Sequence, residues 1–264
     1  MLNHKKVRRI IAALCAVVLL EAIAIVVLWF KLPQKRPLVL KPPLVAKGKI
    51  AIVIDDWGYH EPNHALLNSL DYPLTMSILP HLAYTKAVAL DLHQRGYEII
   101  LHLPMEPREN MKLEKETIRV SMDAKTIKNI ISRALASVPY ALGVSNHMGS
   151  KLTANPQAMR VVLGELKLRN LFFLDSYVTG SSVGREISRE LGVRFVQRDV
   201  FLDNDSDVAS IKQQIEKLKM QARLYGEAVG IGHDRKNTLE VLKEALPQLE
   251  EEGYKLVFVS ELAR

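Results

Sequence analysis

The sequence predicts an α/β protein, a (β/α)7-8 barrel that follows one N-terminal transmembrane helix. Three observations carry this. Eight short runs rich in Val, Ile, Leu and Phe recur through residues 49–264. Helical amphipathic stretches separate most of them, the alternation expected of a parallel sheet with helices on its face. Ahead of all this, Ile10 to Phe30 is apolar except for Glu21.

Taken in order, the first element is that apolar stretch. Its 21 residues would be about 31 Å long as a helix, enough to cross a bilayer core. Lys5, Lys6, Arg8 and Arg9 precede it, as in a signal sequence. Ala22-Ile23-Ala24 resembles a cleavage site, but the apolar run continues to Phe30, so residues 1–30 are expected to stay as an anchor. A short basic leader favours the N-terminus inside. The expected location is therefore the bacterial cytoplasmic membrane, single-pass, with the C-terminal domain outside the cytoplasm. Residues 31–48 hold four prolines (Pro33, Pro37, Pro42, Pro43) and read as an extended, semi-rigid linker.

From residue 49 the apolar runs are 50–54, 74–79, 99–103, 141–145, 171–174, 193–196, 228–231 and 255–259. Each has the length and composition of a buried parallel strand. The clearest helix between them steps through Ile211, Ile215, Leu218, Ala222 and Tyr225, with Asp207 as N-cap and Gly226 as its stop. Pro104 to Ser121 shows no regular pattern.

Charge and composition exclude several functions. The net charge of +7 comes from the N-terminal segment. Ten of the 36 Lys/Arg but one of the 29 acids lie in residues 1–49, which leaves the other 215 residues at −2. A mildly acidic domain argues against nucleic-acid binding. No GxGxxG or GxxxxGK[ST] occurs, so no nucleotide cofactor is expected. The single cysteine, Cys15, allows neither an internal disulfide nor a cysteine zinc site.

Barrels of this kind place chemistry at the C-terminal ends of their strands. Those positions here read Asp55-Asp56-Trp57-Gly58, Pro80-His81, His102-Leu103-Pro104-Met105-Glu106-Pro107, Asn146-His147-Met148-Gly149-Ser150, Asp175-Ser176, Gly232-His233-Asp234 and Ser260-Glu261. His81, His102, His147, His233 and, less clearly, His60 fall on one face. Two adjacent acids at a barrel rim are costly unless paired or bound to a metal, although Asp-Asp-x-Gly also suits a turn. Histidines and carboxylates without cysteine suit Zn2+ or another divalent first-row ion. Such an ion lowers the pKa of a bound water to about 7. A carboxylate beside it can accept a proton, and a histidine across the site can protonate a leaving group. Trp57 could stack on a sugar or pack at the rim. His81 could line a substrate groove or sit in a surface loop.

Ile54-Asp55-Asp56-Trp57-Gly58 resembles the first motif of the polysaccharide deacetylases of the NodB-homology group. Together with the stretches around His102, His147 and His233, the set resembles the divergent polysaccharide deacetylase family (polysaccharide deacetylase family 2) more closely, over roughly residues 48–264. The resemblance implies a distorted (β/α) barrel and a divalent metal, usually zinc. It also implies roles: Asp55 as general base, Asp56 and His102 as metal ligands, His233 as catalytic acid, and Asp175 as the acid that orients His233. The broader group carries a second histidine four residues after the first, where this chain has Glu106. The third ligand is therefore Glu106 or His147, with His147 preferred because nitrogen is the commoner partner in such sites. Glu106 could instead pair with Arg108 or Lys151. The broader group also restrains its base with an arginine near the fourth strand. Here that region offers Lys151, placed with His81 and Trp57 among the substrate-binding candidates. The expected activity is deacetylation of a cell-envelope glycan. The alternative is a non-catalytic module on the same barrel that binds envelope glycan or protein.

Overall fold

A computed structural model describes residues 4–31 and 47–264. The linker expected at 31–48 lies almost entirely outside the described residues. The chain forms two units, residues 1–44 and 45–264. In the first, helix α1 (His4–Lys31) contains 22 residues, Lys6–Val27, long and apolar enough to cross a membrane. A signal sequence would meet the same description.

The second unit runs β1 (Gly48–Trp57), α2 (His64–Leu67), β2 (Leu74–Ile78), α3 (Thr85–Gln94), β3 (Glu98–Met105), α4 (Ala124–Ser137), β4 (Gly143–Met148), α5 (Pro156–Leu168), β5 (Phe172–Asp175), α6 (Gly184–Leu191), β6 (Phe195–Gln197), β7 (Val200–Phe201), α7 (Val208–Tyr225), β8 (Glu227–His233), α8 (Lys236–Glu251) and β9 (Tyr254–Val257). Every predicted run holds a strand. Strand β7 is an addition. The α7 signals act as read: Asp207 accepts a hydrogen bond from Ser210 N at 3.0 Å, and Gly226 ends the helix at φ 82°. Asp123 and Asn155 cap α4 and α5 in the same way.

The strands form one parallel sheet in the order β6-β5-β4-β3-β2-β1-β8-β7, and β9 pairs with the start of β1. The sheet curls into a distorted half-barrel. Its two end strands, β6 and β7, are separated in the chain by Arg198 and Asp199 alone. Arg198 N donates to Asp175 O on one side, and Asp199 N donates to Val229 O on the other. One stretch of backbone thus changes partners midway and brings the ends of the sheet together.

Side chains alternate across the strands. Ile50, Ile52 and Ile54 join the large core under the helices. Ala51 and Val53 join a smaller core inside the curl, with Ile100, Phe172, Leu174, Val196, Val229 and Ile231. Gly143 pairs with Phe172 across β4 and β5. A Cβ at Gly143 would lie 2.5 Å from the Phe172 ring, so the glycine makes room for that ring.

Candidate metal centre

The inner alternation determines what reaches the mouth of the curl. Continuing Ala51 and Val53 of β1 leads to Asp55, and Ile100 of β3 leads to His102. Val229 and Ile231 of β8 lead to His233. Asp56 would face outward by the same rule. The β1–β2 register shifts between Ile54 and Trp57, and Asp56 adopts φ 68°. This bulge turns its carboxylate into the mouth. Backbone strain recurs around the rim, with positive φ at His81, Met148 and Tyr177.

Asp56, His102 and His147 converge. Asp56 Oδ1 lies 3.3 Å from His102 Nε2 and 3.1 Å from His147 Nδ1, and the ligand atoms of all three lie within 4.8 Å of one another. Yet Asp56 Oδ1 is buried without a hydrogen-bond partner. An orphaned carboxylate oxygen facing two imidazole nitrogens is a donor set that fits a divalent first-row cation with an open position. His102 Nδ1 lies 2.7 Å from Ser145 Oγ, which in turn contacts Ser77 Oγ. That contact leaves Nε2 directed at the cluster. Burial works to raise the Asp56 pKa, but the two imidazoles outweigh it and hold the carboxyl far below its usual range.

Asp55 and His233 flank the cluster. Asp55 Oδ2 is 3.6 Å from His102 Nε2. Its Oδ1 has no hydrogen-bond partner. Burial pushes its pKa up, against the pull of His102 and His233. His233 Nε2 is 3.8 Å from Asp56 Oδ2, and its Nδ1–H donates to Asp203 Oδ1 at 2.8 Å. Burial disfavours the imidazolium, but Asp203 prevails and the His233 pKa is raised. Beside it, burial pushes the Asp234 carboxyl up to about 6, and Asp234 Oδ2 is 3.5 Å from His60 Nε2.

The other sequence candidates go elsewhere. Asp175 does not orient His233. It follows Leu174 onto the outward face of β5, where it accepts from Ser182 Oγ at 2.6 Å and Tyr177 N at 2.8 Å. Asp203 holds His233 instead. Sequence reasoning missed it because β7 is two residues long. Its signal was an acid two positions beyond Phe201, on the inner face. Glu106 is not in the cluster: Lys151 Nζ donates to its Oε1 at 2.7 Å and Val120 N to its Oε2 at 2.8 Å. The same ion pair occupies Lys151, so it does not stand as a free substrate contact. Trp57 is fully buried in the outer core and has no face for a sugar. His81 Nε2 is 3.2 Å from Glu116.

Comparisons with known proteins bear on the family and the fold. Residues 52–263 match the divergent polysaccharide deacetylase family. The chain is 37% identical over 212 residues to the uncharacterized protein YibQ of Escherichia coli K12, covering 80% of this chain and 66% of that protein. It therefore spans slightly under two thirds of that relative's length. Among solved structures, an uncharacterized protein from Agrobacterium tumefaciens C58 superposes with a TM-score of 0.77 at 24% identity, covering 82% of this chain and 89% of that one. A mutant CE4 family pseudoenzyme of Bacillus anthracis with restored enzymatic activity superposes with a TM-score of 0.50 at 15% identity, covering 81% and 67%. It shares the fold.

Proposed function

The chain belongs to the divergent polysaccharide deacetylase family, and from that premise we propose that it is a metal-dependent hydrolase removing N- or O-acetyl groups from a cell-envelope polysaccharide. In this reading α1 anchors it in the bacterial cytoplasmic membrane with the barrel outside the cytoplasm. One observation carries the proposal: the Asp56–His102–His147 cluster has a buried carboxylate on one side and a charged-partnered histidine on the other.

Asp56, His102 and His147 would hold the cation, for which Zn2+ suits the nitrogen-rich donor set. When bound, it supplies Lewis acidity to the acyl oxygen and acidifies a water. The chain's own residues do the rest. Asp55, with Oδ1 unengaged, accepts the proton that water loses as it attacks the acyl carbon. His233, whose pKa Asp203 raises against the effect of burial, gives its proton to the leaving nitrogen or oxygen as the C–N or C–O bond breaks. The products are acetate and a free amine or hydroxyl.

The test is acetate release by the full chain in detergent, loaded with zinc, from N- and O-acetylated glycans. Metal bound without acetate release from any of them would sink the hydrolase reading. Glu106 supports a second reading. It stands where the broader group has a histidine, and it is committed to Lys151. A barrel altered there would serve as a non-catalytic binding module, and cells carrying Asp55→Asn would then keep their phenotype.

A further inference from the structure

Strand β3 carries a second buried acid at its other end. Glu98 opens the strand on the inner face that Ile100 and His102 continue. Four residues of strand place it about 13 Å from His102, at the end of the curl away from the cation cluster. It is 6% exposed. Its Oε1 accepts from Thr75 Oγ1 at 2.8 Å and from Ser260 N at 3.2 Å. Both donors are neutral, and no hydrogen bond reaches Oε2 among the described residues. Burial raises the Glu98 pKa against the pull of Ser260 and Thr75, and Glu261 adds to the rise. A buried carboxylate is normally paired with an opposite charge. Among the described residues this one has none.

Glu98 lines a cavity of about 660 Å³, a volume within the range of small-molecule sites. Leu135, Val138, Leu171 and Phe258 form apolar walls. His93 and Tyr140 close one side as a stacked pair, with ring centroids 3.8 Å apart and planes 12° from parallel. Tyr140 stands there at φ 65°, a backbone conformation that disfavours a bulky residue and that recurs at ligand clamps. Its ring stays 54% exposed. Arg169 also lines the cavity, but its Nε donates to Glu165 Oε1 at 3.0 Å.

This chemistry selects among ligands. An anion would meet Glu98 and the nearby Glu261. A metal ion would need more donors than walls made mainly of carbon offer. A neutral apolar molecule would leave the carboxylate without its counter-charge. A cation with an apolar body satisfies both parts of the cavity, because an aromatic face attracts positive charge as a carboxylate does.

We propose that this cavity is a second binding site, separate from the cation cluster, for an organic cation: an ammonium group held by Glu98 on an apolar or aromatic body that packs between the apolar walls and the His93–Tyr140 stack. The site does not depend on the hydrolase reading.

The experiment is calorimetric titration of the full chain in detergent at pH 7 with three probes of one shape: benzylamine, benzyl alcohol and benzoate. Benzylamine, charged at this pH, should bind at one equivalent with a Kd below about 1 mM, and at least tenfold more tightly than the other two. Glu98→Gln keeps an acceptor for Thr75 and Ser260 and removes the charge. It should weaken benzylamine at least tenfold and leave benzyl alcohol unchanged. Tyr140→Ala should weaken benzylamine at least threefold, and Tyr140→Phe, which keeps the ring, should not. Thermal melts check that each variant folds. Should Glu98→Gln fail to fold, the exposed Tyr140 pair and the order of the three probes decide. No binding of benzylamine overturns the proposal. So does equal binding of the alcohol or the benzoate, or benzylamine binding that survives either Glu98→Gln or Tyr140→Ala unchanged.

Discussion

Asp203 grips His233 twice: its Oδ1 accepts from the ring Nδ1–H at 2.8 Å and its Oδ2 accepts from the backbone N–H at 2.9 Å. Thr238 Oγ1 donates to the same Oδ2 at 2.7 Å. The carboxylate is fully buried and its pKa is lowered, because the imidazole and these donors outweigh burial. The arrangement directs Nε2 to the cluster and keeps the ring protonated to higher pH than an ordinary histidine of about 6.5.

Asp203→Asn removes the charge and keeps the shape. The alkaline limb of the pH–kcat profile should move to lower pH, and kcat at pH 8 should fall by about 100-fold or more, the scale of a general acid's contribution. The stability that the pair gives through His233 is complete below pH 6.5 and lost as pH rises through the raised value. The melting difference between wild type and Asp203→Asn should therefore shrink from pH 6 to pH 9. An unmoved alkaline limb would remove His233 from the acid role.

Zinc content should distinguish the third ligand. His147 Nδ1 faces Asp56 Oδ1, whereas Glu106 is bonded to Lys151 and Val120. His147→Ala should lose more affinity than the ~10–100-fold typical of supporting residues, and Glu106→Ala should keep one equivalent. Ser145→Ala, which frees His102 Nδ1, should fall in that ~10–100-fold range. Elemental analysis after dialysis against graded chelator reads all three.

Asp55 predicts a trade between stability and activity. Its pKa is raised by burial, so the folded protein binds this proton more tightly than the unfolded chain. Its ionisation therefore costs stability as pH rises above 3.8. Chelated Asp55→Asn should melt above chelated wild type at pH 7, with the difference vanishing near pH 4. With zinc, the same variant should bind the metal and lose about 100-fold or more in acetate release. Lower melting at pH 7 would contradict the burial argument.

What was legible in the sequence follows from how local each signal is. Buried parallel strands are continuous apolar runs, so all eight could be read. His102 and His233 could be found because they continue those runs on the inner face. Asp203 escaped because a two-residue strand leaves no run to follow. The role that the resemblance implies for Asp175 takes no account of strand alternation: next to inward Leu174, Asp175 points outward. The Glu106–Lys151 pair was one of the alternatives the sequence offered for Glu106, but the inward turn of Asp56 depends on a register shift against β2, and the contact of Asp203 with His233 joins positions 30 apart. Neither leaves a mark within a short window.

The inner core offers a test of the fold itself. Gly143 and Phe172 are register partners on adjacent strands, and the ring occupies the space a side chain at 143 would need. Gly143→Ala must push the ring or the strand aside, an overpacking cost of about 1–3 kcal/mol. For a unit of this size that lowers the melting temperature by roughly 2–4 °C per kcal/mol. Phe172→Leu alone removes volume from the same core and should also destabilise. Combined, the smaller side chain vacates the space the new methyl enters, so the double variant should be more stable than the two single losses added together. A coupling of at least about 0.5 kcal/mol is expected for residues in direct contact. Additive losses in thermal melts of the three variants would mean that the ring does not lie over Gly143, and that the curl is packed differently at β4 and β5, the strands that carry His147 and Asp175.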